Sequence, residues 1–82
     1  MYYVYMLECA DASIYVGSTN DLTRRLKQHN GSKSGAHYTK IRRPVVLRYS
    51  ERVRTLAKAR AREAELKRLT RQEKLELISS SV

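Results

Sequence analysis

Two tyrosine-rich apolar runs with four residues between them constrain this chain more than any other feature. "YYVYMLE" (2–8) and "SIYVG" (13–17) are rich in residues that suit a pleated, half-buried strand, and "CADA" (9–12) leaves room for a short turn. The two runs therefore read as an antiparallel hairpin. Side chains alternate along a strand, so Tyr3 and Tyr5 share one face of the first run, and Tyr15 and Gly17 share one face of the second. Pairing residue 5 with residue 15 puts both hydroxyls on a common face.

The hairpin leads into a helix. Asn20 or Asp21 can cap it, Leu22 and Leu26 are its apolar contacts, and the pattern predicts a helix over about 21–30, ending near Gly31. Arg25 and His29, four apart, fall on one face of it. "GSKSGAHYTKIRRP" (31–44) has neither a helical nor a strand period and reads as a mobile basic loop. "VVLRY" (45–49) reads as a third strand, with Pro44 suited to its first position. Thr55 can cap "LAKARAREAELKRL" (56–69), which is dense in helix formers. "TRQE" (70–73) is a capping box that opens a second short helix through about Ile78, and "SSSV" (79–82) should fray. The expected architecture is α+β: a three-stranded antiparallel sheet flanked by helices, in one small domain over residues 1–78. No internal repeat and no second domain is visible.

A chain of 82 residues buries only roughly 60% of its unfolded surface, so an open groove is more natural than a deep cofactor pocket. With 17 Lys and Arg against 8 Asp and Glu, the net charge is +9. The charge is concentrated: residues 23–54 hold ten basic residues and only Glu51 as an acid. Phosphate-rich partners are the first expectation from this balance, with a solvated basic face as the plainer one. No strongly amphipathic helix, membrane-length apolar run or signal peptide stands out. Cys9, the single cysteine, cannot form an internal disulfide, and no Cys/His set has zinc spacing, so a reducing, cytoplasmic location is expected.

Glu63 stands out on the long helix because it falls within an apolar stripe of Leu56, Ala59, Leu66 and Leu69. A carboxylate so placed must be paired, hydrogen-bonded or bound to a cation. An ion pair with Arg60 or Lys67, one turn away, is the plain reading. Two tyrosines, an arginine, a histidine and this glutamate can be expected to meet over one sheet face.

"YVY" (3–5), "YVG" (15–17), "STNDLTRRLKQH" (18–29) and "REAELKRL" (62–69), in that order, resemble the GIY-YIG nuclease domain, and most of all its small stand-alone bacterial members. The likeness runs from residue 2 to about 78. It implies catalytic roles for Tyr5, Tyr15, Arg25 and His29, and metal binding by Glu63. The first motif departs from its name, with Tyr3 where glycine is usual, and Val4 and Val16 replace isoleucine. The asparagine that larger relatives carry beyond the glutamate has no clear counterpart.

By this resemblance the chain is a metal-dependent DNA endonuclease, with Mg²⁺ (or Mn²⁺) on Glu63 and Arg25 stabilising charge on the phosphate. One tyrosine would position or deprotonate the attacking water; which of the two, the sequence does not say. Free tyrosine ionises near ~10, so it serves as a base only if cationic neighbours lower that value. Arg24, Lys27, Lys33, Lys40, Arg42 and Arg43 suit phosphates, while His37 and Tyr38 suit stacking on unpaired bases. That combination favours single-stranded or branched DNA, with a role in DNA repair or processing. The alternatives are a non-catalytic nucleic-acid-binding module and an interaction protein on a decayed nuclease scaffold.

Overall fold

The computed structural model describes residues 1–31, 39 and 41–80. Strands β1 (Tyr2–Glu8), β2 (Ile14–Thr19) and β3 (Val46–Val53) form one antiparallel sheet in the order β2-β1-β3. Helices α1 (Leu22–Gly31), α2 (Leu56–Arg68) and α3 (Arg71–Ser80) complete the described fold. The expected α+β architecture is the one observed.

The hairpin register is Tyr5↔Gly17 and Leu7↔Tyr15, two residues away from a direct Tyr5–Tyr15 pairing. The turn sets this offset: Cys9 N–H bonds to the Ser13 carbonyl at 2.9 Å, and Ala12 takes a φ of 69° to close it. A shift of two preserves facing, whereas a shift of one would have reversed it. Tyr5 and Tyr15 therefore lie diagonally on the same sheet face.

Each face carries its own core. On one, Val4, Met6 and Val16 meet Ala59 and Leu66 of α2, with Leu77 and Ile78 of α3 packed against them. On the other, Tyr5, Leu7, Cys9 and Val45 meet Leu22 and Leu26 of α1. The sheet is thus covered on both sides, as a short central strand of continuous apolar residues requires. Leu56 is exposed, so the apolar stripe of α2 is anchored by Ala59 and Leu66.

Strand β3 continues four residues beyond the expected end at residue 49. Its second half, "YSERV", alternates, and the carboxylate of Glu51 on the α2 face is held by Arg62 of α2 at 2.8–2.9 Å and by the Tyr49 hydroxyl. A paired charge can occupy an inward strand position that an unpaired one cannot.

The helix ends follow local chemistry. Asp21 accepts the Arg24 N–H at 3.1 Å and caps α1. Thr55 accepts the Lys58 N–H at 3.1 Å, and Thr70 and Glu73 form the reciprocal capping box at 3.1 and 2.9 Å. That box carries α3 to Ser80, two residues past the expected Ile78.

Candidate active site

The corner between β2 and α1 places the first catalytic candidates. The Asp21 cap starts α1 just after β2, and Arg25 and His29, one and two turns on, face the sheet. Arg25 is half-buried and donates to Gln28 Oε1 at 2.8 Å. His29 is wholly buried, with its ring edge-on to Tyr15 at 5.2 Å and to Tyr5 at 5.8 Å between centroids. The Tyr5 hydroxyl lies 2.9 Å from His29 Nε2, and the Thr39 hydroxyl lies 2.7 Å from Nδ1.

Gly17 makes this arrangement possible. A Cβ there would sit 2.6 Å from the Tyr5 hydroxyl oxygen and 2.8 Å from its Cζ. The end of the Tyr5 ring therefore occupies the space that any other residue at position 17 would fill. The glycine of "YVG" is a seat for the tyrosine of "YVY".

The electrostatics assign different states to these groups. Burial pushes the Tyr5 phenol up to about 12, against the opposing pull of the Arg25 guanidinium. The condition for a tyrosine to serve as base, that cationic neighbours lower it, is not met at Tyr5, because desolvation outweighs them. Burial, with the charges of Arg25 and Arg43, brings His29 down to about 4. At neutral pH the pair is a neutral phenol against a neutral imidazole. Tyr15, by contrast, is only half-buried.

Glu63 reaches the site from the other side. It belongs to α2, which packs on the Val4 face, and its Oε1 accepts the Ser18 hydroxyl at 2.6 Å. Ser18 pairs with Val4 across the hairpin, so it shares the α2 face, while its neighbour Gly17 shares the Tyr5 face. The five candidates do not meet over one face: four lie on the α1 side, and Glu63 comes to the β2 edge from the α2 side. Two helices on opposite faces can bring side chains together only around an edge strand, and β2 is one. Glu63 is still close enough for its charge to act on the Tyr5 hydroxyl.

Lys67 Nζ sits 2.8 Å from Glu63 Oε2, the ion pair anticipated from their spacing. Burial alone would raise the Glu63 carboxyl, but the hydrogen bonds from Lys67 and Ser18 outweigh it and hold the group below its ordinary value. Ser18, Arg60, Glu63, Ala64 and Lys67 line an open cleft of about 420 Å³. An ionised carboxylate beside a hydroxyl is a hard-oxygen donor set, and magnesium needs few protein ligands because it keeps most of its waters. Lys67 is half-exposed on a flexible stem and can leave the carboxylate. The residues fit a Mg²⁺ or Mn²⁺ ion carried by a single carboxylate. Among the described residues, no group of three His, Cys, Asp or Glu is gathered as a fuller metal cage.

The basic candidates divide by what they touch. Arg24 and Lys27 are exposed on the outer face of α1, along a groove of about 670 Å³ shared with Asp21, Thr23, Gln28 and Gly31. Arg42 pairs with Asp11 at 2.9 Å. Arg43 donates to the carbonyls of His29 and Gln28 at 2.5 and 3.1 Å, which closes the C-terminal end of α1. Gly31 belongs to α1, and the two arginines are anchored, so these parts of 31–44 are not the mobile loop expected. Lys33, His37, Tyr38 and Lys40 lie outside the described residues.

Ser18 and Thr39 were not legible as site residues. Ser18 could have been found from strand alternation once α2 was known to cover the Val4 face. Thr39 bonds across ten residues to a buried ring and carries no local signal.

Comparison with known proteins agrees with this fold. The family model of the GIY-YIG catalytic domain matches residues 1–76. A UPF0213 protein of Syntrophus aciditrophicus is 48% identical over 79 residues, covering 96% of this chain and 91% of the relative. One of Clostridium perfringens is 50% identical over 80 residues, covering 98% and 85%. The solution NMR structure of the UPF0213 protein from Bacillus halodurans superposes with a TM-score of 0.61 at 42% identity, covering 96% of this chain and 84% of that one.

Proposed function

The chain belongs to the GIY-YIG family, and from that premise we propose that it is a metal-dependent endonuclease hydrolysing phosphodiester bonds in DNA. The observation that carries the reading is the contact of His29 with the Tyr5 hydroxyl on one side of β2, under the charge of Arg25, with the ionised Glu63 on the other. An arginine, a proton-carrying hydroxyl and a carboxylate around one open edge are the groups that phosphodiester hydrolysis requires.

The two tyrosines take different roles. Tyr5, buried and held as a neutral phenol, is bonded to the buried His29 ring. Tyr15 is half-buried and borders the Lys67 side, so its hydroxyl meets the attacking water. Arg25 stabilises the negative charge that builds on the phosphate oxygens, in a partly desolvated position where that interaction is stronger than in water. Glu63, with Ser18 beside it, would hold Mg²⁺ or Mn²⁺, which supplies charge neutralisation at the phosphate. Lys67 and Arg60 remain at that cleft as phosphate contacts.

Arg24, Lys27 and Arg42, with Lys33 and Lys40, extend the phosphate-binding surface, and Arg43 contributes through its position at the end of α1. His37 and Tyr38 favour unpaired bases, so single-stranded or branched DNA is the proposed substrate, within repair or processing in the cytoplasm. Among the described residues, no helix is long and apolar enough to cross a membrane. A non-catalytic nucleic-acid-binding module is the second reading, favoured by the Glu63–Lys67 ion pair, which satisfies the carboxylate without metal.

Cleavage of single-stranded, duplex and flap DNA in magnesium, with Glu63→Ala as control, separates them. The nuclease reading expects cutting by the parent and none by the variant. Binding without cutting on every substrate would select the second reading.

A further inference from the structure

The two oxygens of the Glu63 carboxylate are held by different kinds of partner. Oε1 accepts the Ser18 hydroxyl at 2.6 Å, and Oε2 lies 2.8 Å from Lys67 Nζ. Ser18 belongs to β2 and pairs with Val4 of the central strand, 45 positions from Glu63 in sequence. Its hydroxyl is carried on a single carbon, so it keeps the place that the sheet gives it. Lys67 sits one turn along α2 from the glutamate, and its side chain, a flexible four-carbon stem, is 54% exposed. The carboxylate therefore has one oxygen fixed to the sheet and one whose partner can exchange.

A divalent ion at Glu63 treats these two partners differently. A serine hydroxyl that donates to Oε1 keeps its lone pairs, and these can accept from a water that the ion carries. An ammonium has three donors and no acceptor. Waters on a metal turn their oxygens to the ion and present only hydrogens outward, so Lys67 Nζ and a hydrated cation have no hydrogen bond to make with each other. At one half-buried carboxylate oxygen their like charges also repel more strongly than in water. Ser18 is compatible with the ion and Lys67 is not.

We propose that Lys67 is the resident counter-ion of Glu63, displaced from Oε2 when a divalent cation binds, while Ser18 is a positioning residue that keeps the carboxylate aimed at the cleft through the exchange. The proposal rests on the metal reading of Glu63 given above and adds what sets the affinity. Lys67 weakens metal binding, because its ion pair must break first. Ser18 strengthens it, because a carboxylate already held in place loses less freedom on engaging the ion. The i, i+4 spacing thus supplies a stand-in cation that keeps the half-buried carboxylate paired when no metal is bound.

Calorimetric titration of manganese into the full chain, without nucleic acid, reads the affinity, and ¹H–¹⁵N spectra of the lysine ammonium groups during a magnesium titration read Lys67 itself. At saturation the parent's Lys67 signal should reach the position it holds in metal-free Glu63→Ala, where magnesium should not move it. Lys67→Met should bind manganese about two- to fivefold more tightly, since no exposed ion pair has to break. Ser18→Ala should bind it about two- to tenfold more weakly, and Ser18→Thr should recover the parent value. A parent that binds manganese while magnesium leaves its Lys67 signal in place overturns the exchange but leaves the metal reading standing. Lys67→Met with the parent's affinity or a weaker one overturns it too. Ser18→Ala with a lowered Tm and an unchanged affinity overturns the positioning role. If neither the parent nor Lys67→Met binds manganese at millimolar concentration, the metal reading of Glu63 falls, and the proposal falls with it.

Discussion

Gly17→Ala tests the geometry of the site at its tightest point. The added Cβ would lie 2.6 Å from the Tyr5 hydroxyl oxygen and 3.1 Å from Tyr15 Cε2, so the Tyr5 contact falls roughly 0.8 Å short of an ordinary 3.4 Å separation. Tyr5 is 2% exposed and cannot swing aside into solvent. Its ring must shift within the core, and a shift of that size stretches the 2.9 Å bond to His29 beyond hydrogen-bonding range. Overpacking of this kind costs about 1–3 kcal/mol. For a domain of this size, each kcal/mol lowers Tm by roughly 4–8 °C. Thermal unfolding should therefore show a clear drop, and cleavage should fall further than the unfolded fraction explains. Tyr5→Phe removes the closest atom, so the alanine should cost about 1 kcal/mol less in that background. A Gly17→Ala protein with the parent's Tm and an undisturbed Tyr5–His29 bond would refute this account of the glycine.

Arg43→Ala should destabilise the fold by about 1–2 kcal/mol, because two carbonyls at the end of α1 lose a charged donor; weakened DNA binding at an unchanged Tm would instead make it a phosphate contact. Arg42→Ala loses only a surface pair with Asp11, so its effect on stability should stay under about 1 kcal/mol in thermal melts. Arg25→Ala and Glu63→Ala should both abolish cleavage but part company in metal-free binding: the first weakens it and the second leaves it equal or tighter, and the same direction in both would sink their assignment to opposite charges at one phosphate. His29, held down at about 4 against an ordinary 6.5, stays neutral while the unfolded chain takes up a proton. Stability should be fully present above pH ~6.5 and fall by about 2–3 kcal/mol on acidification towards pH ~4; urea melts across this window should flatten in His29→Gln, and an equally steep fall in that variant would place the titration elsewhere.

The legible parts of the fold were those written in short-range pattern. Strand β1 is a continuous apolar run, and the three helix starts each carry a side-chain cap within three residues. The face shared by Tyr5 and Tyr15 was recoverable because any register of even sum preserves it, even though the register itself was offset by two. Strand β3 was cut short because Glu51 resembles a strand end until Arg62, eleven residues on, is brought opposite it. The division of the site between two faces was hidden for a related reason. Hairpin parity fixes which tyrosines share a face, but nothing in it says which helix covers that face.

That division bears on how a substrate must approach. β1 is covered on both sides and paired along both edges, so neither Tyr5 nor Val4 can be reached through the sheet. Gly17 and Ser18 are consecutive on β2, and alternation points one towards the tyrosines and the other towards Glu63. The chain thus uses one dipeptide to address both halves of the site: a glycine that admits the Tyr5 ring, then a serine that binds the Glu63 carboxylate. A phosphate that engages both Arg25 and Glu63 has to lie alongside the open edge of β2, where Tyr15 is half-exposed and Lys67 and Arg60 line the cleft. Moving the serine by one residue would turn it to the tyrosine face and leave Glu63 with Lys67 alone, so the order Gly-Ser, and not the mere presence of both residues, is what the site requires.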